Sequence, residues 1–505
     1  MAITDENAFE LPKLRLSFGF ENDTEFLEND NIAEFFDVKF CPYQPLDSNP
    51  VFAAVSKKHV VVCSLSQDPG DANPCEVLSV IRDDDVEASA CCCTWTKDPI
   101  TGAPYICIGG VDATVKIYDV MSGKLYRDVN DLATSPVNPS IIASASGDTS
   151  VRVWSLDPIH SKRPCLVILA GEGHSWDLLS LAFHDTGRYI LTAGHDQIIN
   201  LWTLPDLPTE PVTTPIRVHY PHFSTSAVHS GIIDCVAFYG DCILSRACHD
   251  NVIALWRIEG FTSKGPPPPQ NIAPTAQTTV PTNYDEASRL TRSAFVPTIS
   301  PQCPSQYTML LQFHTPNCGP QFFMRFKLLF VPGQHPVLAF CNAGGNVFFW
   351  DFERLTAYRD FMETVKDPNR DKSKPLPHPT WLRPVTRRQK PDGNKSRHGG
   401  ADKDTPVGSQ GNGAKPTDEM SAYNAETLEA WASRYSQEDP HEPLKAHKTE
   451  SSSANFVGRQ AAWSPGGEWC VVVGSSNTAL ILQRWANKAP AKVSTPVQTV
   501  PTQEN

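Results

Sequence analysis

An eight-residue pattern occurs four times between residues 111 and 256, and it constrains the fold more than any other feature of the chain. Each copy has an aspartate at its second position, apolar residues alternating after it, and an aromatic residue at its end. Aspartate suits a tight turn, and the alternation is typical of a strand with one buried face. Repeats of such a turn and strand predict the blades of a β-propeller. The copies are VDATVKIY, GDTSVRVW, HDQIINLW and HDNVIALW.

The copy that ends at Trp202 predicts a hydrogen-bonded network within its blade. Gly173-His174 lies upstream of this copy, and Thr192 lies four residues before Asp196. Histidine, aspartate, threonine and tryptophan side chains supply matching donors and acceptors that can join the turn to the strands. This set of residues identifies the repeats as WD repeats. The sequence therefore predicts an all-β fold, a seven-bladed WD-repeat β-propeller with disordered insertions.

The length of the chain predicts insertions between the blades. Seven blades of about 40–45 residues use roughly 300 residues, whereas the chain has 505. Proline-rich and charged stretches are expected to be solvated rather than packed. The predicted segments are 1–32 with a ring-closing strand, 33–259 with blades 1–5, 260–307 as a Pro-rich linker insertion, 308–358 as blade 6, 359–440 as a disordered charged insertion, 441–486 as blade 7 and 487–505 as a disordered tail.

Two details of these segments follow from local patterns. Within the charged insertion only residues 422–435 are predicted to be helical, with Leu428, Trp431 and Tyr435 on one face. Such a short helix is marginal unless it docks on something.

Blade 3, placed near 128–156, is short, because residues 125–132 leave too little chain for an outer strand and the next blade's first strand. Either this blade is truncated or the sequence is incomplete there.

The charge of the chain is segregated. The net charge is −13, which disfavours general binding of nucleic acid and permits basic partners such as histone tails. Residues 366–404 hold eleven Lys and Arg against five Asp and Glu, a local charge of +6. This segment is the predicted place for contact with nucleosomal DNA, although a solvated spacer is the alternative.

No secretory signal or membrane-spanning run is recognised, and cysteines within strand patterns suit a reducing compartment.

The sequence offers no recognisable catalytic motif. There is no phosphate-binding loop, nucleophile elbow or zinc-protease helix. Cys91-Cys92-Cys93 cannot bind one zinc ion together, because neighbouring side chains of a strand point to opposite faces. His219 and His222 are interpreted as loop or packing residues rather than a metal pair. We therefore predict no enzyme activity, no metal and no cofactor.

The stretch YPHFSTSAVHSGIIDCVAFYGDCILSRACHDNVIALW, residues 220–256, closely resembles the ESC/EED family of WD-repeat proteins. Further similar stretches are FFDVKF (35–40), CCTW (92–95), VNPSIIASASGD (137–148), GEGHSWDLLSLAFHDTGRYILTAGHD (171–196) and FFMRF (322–326). Members of this family are non-catalytic scaffold subunits of Polycomb repressive complex 2. The two insertions lie outside the resemblance.

The resemblance implies two binding sites on opposite faces of the propeller. On one face, family members hold a trimethylated lysine of the histone H3 tail in an aromatic cage. On the other face, they bind a helix of the Enhancer of zeste methyltransferase. Carried over by position, the cage residues are Phe36, Phe322 and Phe323, with Cys91 where the family has a tyrosine. A thiol gives no cation–π attraction, so the predicted cage is partial. Plain core packing is the alternative role for the three phenylalanines.

We therefore predict a nuclear scaffold of a Polycomb-type histone H3 lysine methyltransferase complex, with possible trimethyl-lysine reading. Its expected partners are an Enhancer of zeste-type SET-domain methyltransferase, the histone H3 tail and other subunits of Polycomb repressive complex 2. No membrane partner is expected. The alternative function is a WD-repeat substrate receptor of a ubiquitin ligase. The acidic run Asp83-Asp84-Asp85 with Glu87 could attract a basic tail, or it is a solvated loop.

Overall fold

A computed structural model gives the architecture of the chain. It describes residues 6–19, 27–28, 31–32, 34–68, 70–83, 89–110, 115–120, 132–275, 291–296, 305–371, 373, 378–384, 423–452 and 456–485. Seven sheets stand side by side around a central channel, which confirms the predicted seven-bladed β-propeller. In six of the seven sheets the innermost strand comes first along the chain, and in the seventh it is preceded only by the N-terminal strand Lys13–Gly19. All innermost strands therefore begin on the same face of the ring, which we call the entry face.

The first strand of the chain closes the ring. Lys13–Gly19 pairs antiparallel with Thr478–Gln483, so that the N-terminal strand is the outer strand of blade 7. The inner strands of the same blade are Gly458–Trp463 and Trp469–Gly474. Closing the ring with a strand from the other end of the chain ties both ends into one sheet and removes an exposed sheet edge.

Blades 1 to 3 differ from the expected pattern in one respect. Blade 3 is not short, because it has four strands of its own and a fifth, parallel strand, Ile216–Val218. For blade 2 the described residues supply three strands, and residues 121–131, which include most of the stretch predicted to be too short, lie outside them. The strands are Phe35–Phe40, Val51–Ser56, His59–Leu65 and Cys75–Arg82 in blade 1, Ala90–Lys97, Pro104–Gly110 and Val115–Asp119 in blade 2, and Ala133–Thr134, Ile141–Ala145, Val151–Ser155 and Cys165–Leu169 in blade 3.

Blades 4 to 6 take their outer strands from beyond the segments predicted for them. Tyr307–His314 pairs with blade 5 rather than opening blade 6, and Lys448–Ser451 pairs with blade 6 rather than opening blade 7. Thr291–Ser293 adds a fifth strand to blade 4, so part of the predicted linker 260–307 is packed structure. The remaining strands are Leu178–Phe183, Tyr189–Gly194, Ile199–Thr203 and Phe223–Thr225 in blade 4, Ile233–Tyr239, Cys242–Ala247 and Val252–Ile258 in blade 5, and Lys327–Leu329, Val337–Cys341 and Asn346–Asp351 in blade 6.

Two helices pack on the outside of blade 6. Helix α1, Phe352–Lys366, is absent from the sequence prediction, which placed helix only at residues 422–435. Helix α2, Ala425–Tyr435, begins at Asn424, whose side chain accepts a hydrogen bond from the amide of Thr427 at 2.7 Å. Its predicted apolar face is the buried one: Trp431 and Tyr435 are buried, and Leu428 packs against the same core. Docking on blade 6 thus supplies the stabilisation that so short a helix lacks alone.

The remaining described elements are short. They comprise strand pairs and single turns of 3-10 helix that connect the larger elements. No helix in the described part of the chain is long and apolar enough to cross a membrane. These elements are the 3-10 helices Glu6–Phe9, Pro158–His160 and Gln270–Ile272, and the paired strands Leu27–Glu28 and Asn31–Ile32.

The predicted network of blade 4 is present. His174 contacts Asp196 through Nδ1 at 2.9 Å and Thr192 through Nε2 at 2.7 Å, and Trp202 Nε1 donates to the Thr192 hydroxyl at 2.9 Å. Gly173 lies against the indole of Trp202, so closely that a Cβ atom would come within 2.2 Å of the ring. Burial alone would raise the pKa of Asp196, but hydrogen bonds, first that with His174, more than offset it and lower the pKa.

Blade 5 repeats this network with a different histidine. His229 contacts Asp250 at 2.6 Å and Ser245 at 2.7 Å, and Trp256 donates to the Ser245 hydroxyl at 2.9 Å. His249, the first residue of the repeat copy HDNVIALW, instead adopts a positive φ of 77° in the turn. The networks hold the turns of these two blades at the entry face.

Candidate functional site

The candidate site lies on the entry face, where the innermost strands begin. In blades 1, 2, 4, 5 and 7 the pairing of the innermost strand with its neighbour shifts by one residue near this end. Such a bulge bends the strand and changes the direction of a side chain. The extra residues are Phe36, Cys91, Leu179, Asp234 and Arg459.

Two of the predicted cage residues occupy equivalent bulges. Phe36 is the extra residue of blade 1 and Cys91 is the extra residue of blade 2. Both side chains are half-buried, unlike Phe35 and Cys92 beside them, which are buried in the core. Their partial exposure at the rim distinguishes them from ordinary core residues. Phe36 and Cys91 therefore reach the entry face from neighbouring strands.

The other two predicted cage residues lie on the segment that leads from blade 5 into blade 6. The rings of Phe322 and Phe323 contact each other, with centroids 5.0 Å apart and planes inclined by 44°. Phe322 is 40% exposed, and Phe323 has a positive φ of 58°. A positive φ is costly for a bulky residue and persists only where the surroundings impose it. The segment is therefore held in its conformation by its neighbours.

A buried ion pair in blade 5 provides one of these restraints. Arg246 contacts the carboxylate of Asp234 at 2.5 Å, and their side chains are 1% and 0% exposed. The same carboxylate accepts a hydrogen bond from the amide of Met324 at 3.1 Å. The bulge residue of blade 5 thus fixes the backbone directly after Phe323.

Two further arginines hold the aromatic pair from the side. Arg459 donates to the carbonyl oxygen of Phe322 at 2.9 Å and to the carboxylate of Glu34 at 2.6 Å, two residues before Phe36. The guanidinium of Arg325 lies over the ring of Phe323, 5.5 Å from its centroid, and donates to the carbonyl oxygen of Leu179 at 3.0 Å. Arg325 therefore occupies one face of the Phe323 ring.

The aromatic surface extends beyond the predicted residues. The ring of His195 contacts the ring of Phe322 edge to face at 6.0 Å, and the indole of Trp176 lies 5.5 Å from His195 at an angle of 30°. Trp176 is 59% exposed. His195 is the first residue of the repeat copy HDQIINLW, whereas Trp176 belongs to none of the repeat copies. The signal in the sequence for an exposed ring at this site was a tryptophan between polar residues in the loop after His174.

The acidic run before Cys91 is only partly described. Asp83 forms an ion pair with Lys116 at 2.6 Å, so its charge is already compensated within blade 2. Asp84, Asp85 and Glu87 lie outside the described residues. Attraction of a basic tail by this run therefore stays a prediction.

The described residues do not assemble a metal site. Within the described ranges, no three His, Cys, Asp or Glu side chains lie close enough to hold a metal ion. His222 is buried and contacts the carbonyl oxygen of Pro269 at 3.2 Å, and burial lowers its pKa. Burial likewise raises the pKa of the Cys235 thiol to about 12, which makes it a poor nucleophile. The described residues of the entry face present aromatic rings, among them the exposed Phe322 and Trp176.

Comparison with known proteins agrees with the fold and with the resemblance. The family model of the WD domain, G-beta repeat, matches residues 121–155 and 164–203. The Polycomb protein esc of Drosophila melanogaster is 27% identical, over 49% of this chain and 60% of its own length. Two solved structures share the fold with a TM-score of 0.81. One is the Polycomb repressive complex 2 of Chaetomium thermophilum, with 49% identity over 95% of this chain and 100% of the matched chain.

The second structure is that of the same complex with H3K27me3 and H3K27M, whose matched chain is 48% identical over 95% of this chain and 99% of its own length. A further relative is the Polycomb protein EED of Chaetomium thermophilum, which is 45% identical. That alignment covers 98% of this chain and all of the relative. It runs over 574 residues, more than the 505 of this chain, so the relative has segments that this chain lacks. Identity at this level over the whole length shows that the chain belongs to the Polycomb EED family.

Proposed function

We propose that this chain is the non-catalytic WD-repeat subunit of a nuclear, Polycomb-type histone H3 lysine methyltransferase complex. In this complex it holds an Enhancer of zeste-type SET-domain methyltransferase and reads trimethyl-lysine of the H3 tail. The observation that carries the proposal is full-length similarity to a Polycomb protein EED and to a chain of a solved Polycomb repressive complex 2. A similar chain has also been solved in that relative's complex with H3K27me3, which supports the reading function.

The reading function rests on the aromatic residues of the entry face. A trimethylammonium group is attracted to ring faces, with roughly 0.5–2 kcal/mol from each ring, and demands no hydrogen bond. The ring of Phe322 is exposed and packs on Phe323, while Phe36 reaches the same rim from blade 1. Cys91 occupies the bulge of blade 2, where it offers neither a ring nor an exposed charge. These three rings and one thiol would form a cage with one weak wall.

Substitution of Cys91 tests the cage directly. Cys91→Tyr restores a ring, and we expect affinity for a trimethyl-lysine H3 peptide to rise about 2- to 30-fold, the equivalent of one cation–π contact. Isothermal titration calorimetry of the full-length chain measures it. Cys91→Leu is the matched control, since it adds apolar volume without a quadrupole and should give a smaller gain. Equal affinity in the wild type, the tyrosine variant and a Phe322→Ala variant would exclude this pocket as the reader.

The scaffold function is separable from the reading function. A groove on the opposite face should accept an amphipathic helix of the methyltransferase through apolar residues spaced i, i+3 or i+4, and i+7. Phe36→Ala should therefore weaken peptide binding about 2- to 30-fold, the equivalent of one ring, yet retain the methyltransferase in a pull-down from the native source. Loss of both from a folded variant would contradict two separate sites. Recovery of a cullin adaptor instead of a SET-domain protein would support the alternative, a ubiquitin-ligase substrate receptor.

We also propose that the basic segment 366–404 contacts phosphates of nucleosomal DNA. Most of this segment lies outside the described residues, but Trp381 and Leu382 belong to the core beside helix α1, and Lys366 pairs with Glu438 at 3.7 Å. A deletion of 385–404 therefore spares the packed part. Each lost phosphate contact should flatten the log–log salt dependence of nucleosome binding by about 0.9. An unchanged slope would make the segment a solvated spacer.

A further inference from the structure

The central channel contains a cavity of about 480 Å³. Residues from the innermost strands of all seven blades line it, so the cavity lies along the axis of the ring. The four predicted cage residues are not part of its wall. Sites for small molecules have volumes of about 300–1,000 Å³. The cavity is therefore large enough for a small ligand and separate from the proposed reader.

Three cationic side chains line this cavity. They are Lys39 from blade 1, Arg325 from the segment that enters blade 6, and Lys327 from blade 6 itself. Arg325 pairs through its backbone with Gln460 of blade 7. Blade 7 lies between blades 6 and 1, so the three cations occupy one sector of the channel wall.

Two carboxylates line the same cavity, and one of them is already engaged. The carboxylate of Asp37 is fully buried and accepts a hydrogen bond from the amide of Cys93 at 2.8 Å, which ties blade 1 to blade 2. It also lies 3.6 Å from Nζ of Lys39. Asp185 lies in the turn after the innermost strand of blade 4, at the end of the cavity away from the entry face. Of the three cations, Lys39 therefore has a carboxylate partner within the wall.

The ammonium group of Lys327 has no such partner. Its side chain is exposed to the channel, and among the described residues it makes no hydrogen bond and no ion pair. Burial within the ring, followed by the charge of Lys39, lowers the pKa of Lys327. A charged group in such surroundings is costly unless an opposite charge compensates it. An anion in the cavity would supply this charge.

A phosphate group suits this wall better than a carboxylate does. Its oxygens point to the corners of a tetrahedron and can meet cations from different parts of a wall, whereas the two oxygens of a carboxylate lie in one plane. Lysine and arginine side chains both bind phosphate well. We propose that the channel binds a small phosphate-bearing anion through Lys327, Lys39 and Arg325. The anion links blade 6 to blade 1 and does not depend on the proposed reading function.

Calorimetry of the full-length chain with inorganic phosphate, pyrophosphate and a phosphoserine peptide tests the proposal. A background of about 0.15 M sodium chloride screens charges on the outer surface. We expect at least one of the two free anions to bind with a Kd below about 1 mM. Tighter binding of pyrophosphate would identify a ligand with more than one phosphoryl group, and equal binding would identify free phosphate. Binding of neither free anion would overturn the proposal, and so would binding of the phosphoserine peptide alone.

Lys327→Met keeps the length of the side chain but removes its charge. Binding of the anion should weaken about 10- to 150-fold, the equivalent of one charge-assisted hydrogen bond. Without added anion the variant should melt at or above the wild-type temperature, because an unpaired ammonium group is gone, and the anion should raise the melting temperature of the wild type alone. A variant that melts below the wild type by the same amount with and without the anion would make Lys327 a structural residue and overturn the proposal.

Two further variants locate the site. Lys162→Met is the matched control, because Lys162 is exposed on blade 3 outside the cavity, and it should leave binding unchanged. Lys327→Glu gives Lys39 a second carboxylate in the wall, so this protein should fold yet bind neither free anion. A loss of binding in Lys162→Met as large as that in Lys327→Met, or binding retained in Lys327→Glu, would place the anion outside the channel and overturn the proposal.

Discussion

Blades 5 and 3 contain the same sequence repeat but are stabilised in different ways. Blade 5 has a fully buried ion pair, Asp234 with Arg246, and a network centred on His229. In blade 3 the corresponding network shrinks to the bond from Trp154 to the Ser144 hydroxyl at 2.9 Å. Its ion pair, Asp148 with Arg152, is at the surface, with the aspartate 46% exposed.

The difference follows the position of the two blades relative to the candidate site. Blade 5 lies next to the segment that carries Phe322 and Phe323, and Asp234 bonds directly to that segment. Buried polar groups are costly unless every partner is in place, so they favour one arrangement strongly. Within the described residues, blade 3 has no comparable segment to hold. The same repeat can thus serve as a plain blade or as a support for a binding surface.

The largest expected effect comes from breaking the buried ion pair. Arg246→Ala leaves the Asp234 charge buried and unpaired, and the free energy of unfolding should fall by about 3–5 kcal/mol. Urea titration followed by tryptophan fluorescence measures the change. The matched variant Arg152→Ala in blade 3 should cost less than about 1 kcal/mol, since exposed pairs contribute little. If both variants lose a similar free energy of unfolding, burial of the ion pair does not explain the difference between the two blades.

An intermediate effect is expected from the histidine network. His229→Ala deprives the Asp250 carboxylate and the Ser245 hydroxyl of a buried partner, and should lower the free energy of unfolding by about 2–3 kcal/mol. Trp154→Phe in blade 3 removes a single bond and should lower it by about 1 kcal/mol. Thermal unfolding of both proteins distinguishes them. A loss in Trp154→Phe as large as that in His229→Ala would mean that blade 3 depends on its polar bonds as much as blade 5 does.

The smallest effect is a pH dependence in blade 3. Burial opposes ionisation of Asp148, but hydrogen bonds from Arg152 and Ser150 outweigh it and lower its pKa to about 2. A lowered pKa stabilises the fold above the unfolded value near 4, and this contribution is lost as the pH falls from about 4 to about 2. Because the pair is exposed, about 0.5 kcal/mol is expected. Asp148→Asn should reduce by that amount the loss of free energy of unfolding between about pH 4 and pH 2. Identical profiles of stability against pH in the variant and the wild type would contradict this prediction.

The repeat predicted the fold because blade turns and strand alternation are local signals. It failed for outer strands, since nothing in the local pattern of Tyr307–His314 or Lys448–Ser451 specifies which blade it pairs with. Helix α1 was missed because its apolar residues follow directly on the third strand of blade 6. Its buried side chains include Leu355, Tyr358 and Phe361.

The candidate site was only partly accessible from sequence. The resemblance supplied Phe36, Cys91, Phe322 and Phe323, and the structure brings Phe322 and Phe323 into contact; their role in binding methyl-lysine stays a prediction. Bulges, which place Phe36 and Cys91 at the rim, depend on the register between strands and leave no clear mark in one strand alone. The support from Asp234 joins residues 90 positions apart. Such long-range contacts cannot be inferred from spacing.

The distant outer strand of blade 6 has a consequence for the long insertion of this chain. Residues 352–447 follow the third strand of blade 6 and precede its outer strand, Lys448–Ser451. Because these two strands pair with each other, the two ends of the insertion lie side by side in one sheet. The free-energy cost of such a loop grows only slowly with its length. A chain cut once between residues 385 and 404 would therefore yield two fragments that share a sheet. Evolution can lengthen, shorten or replace the loop there without opening the ring.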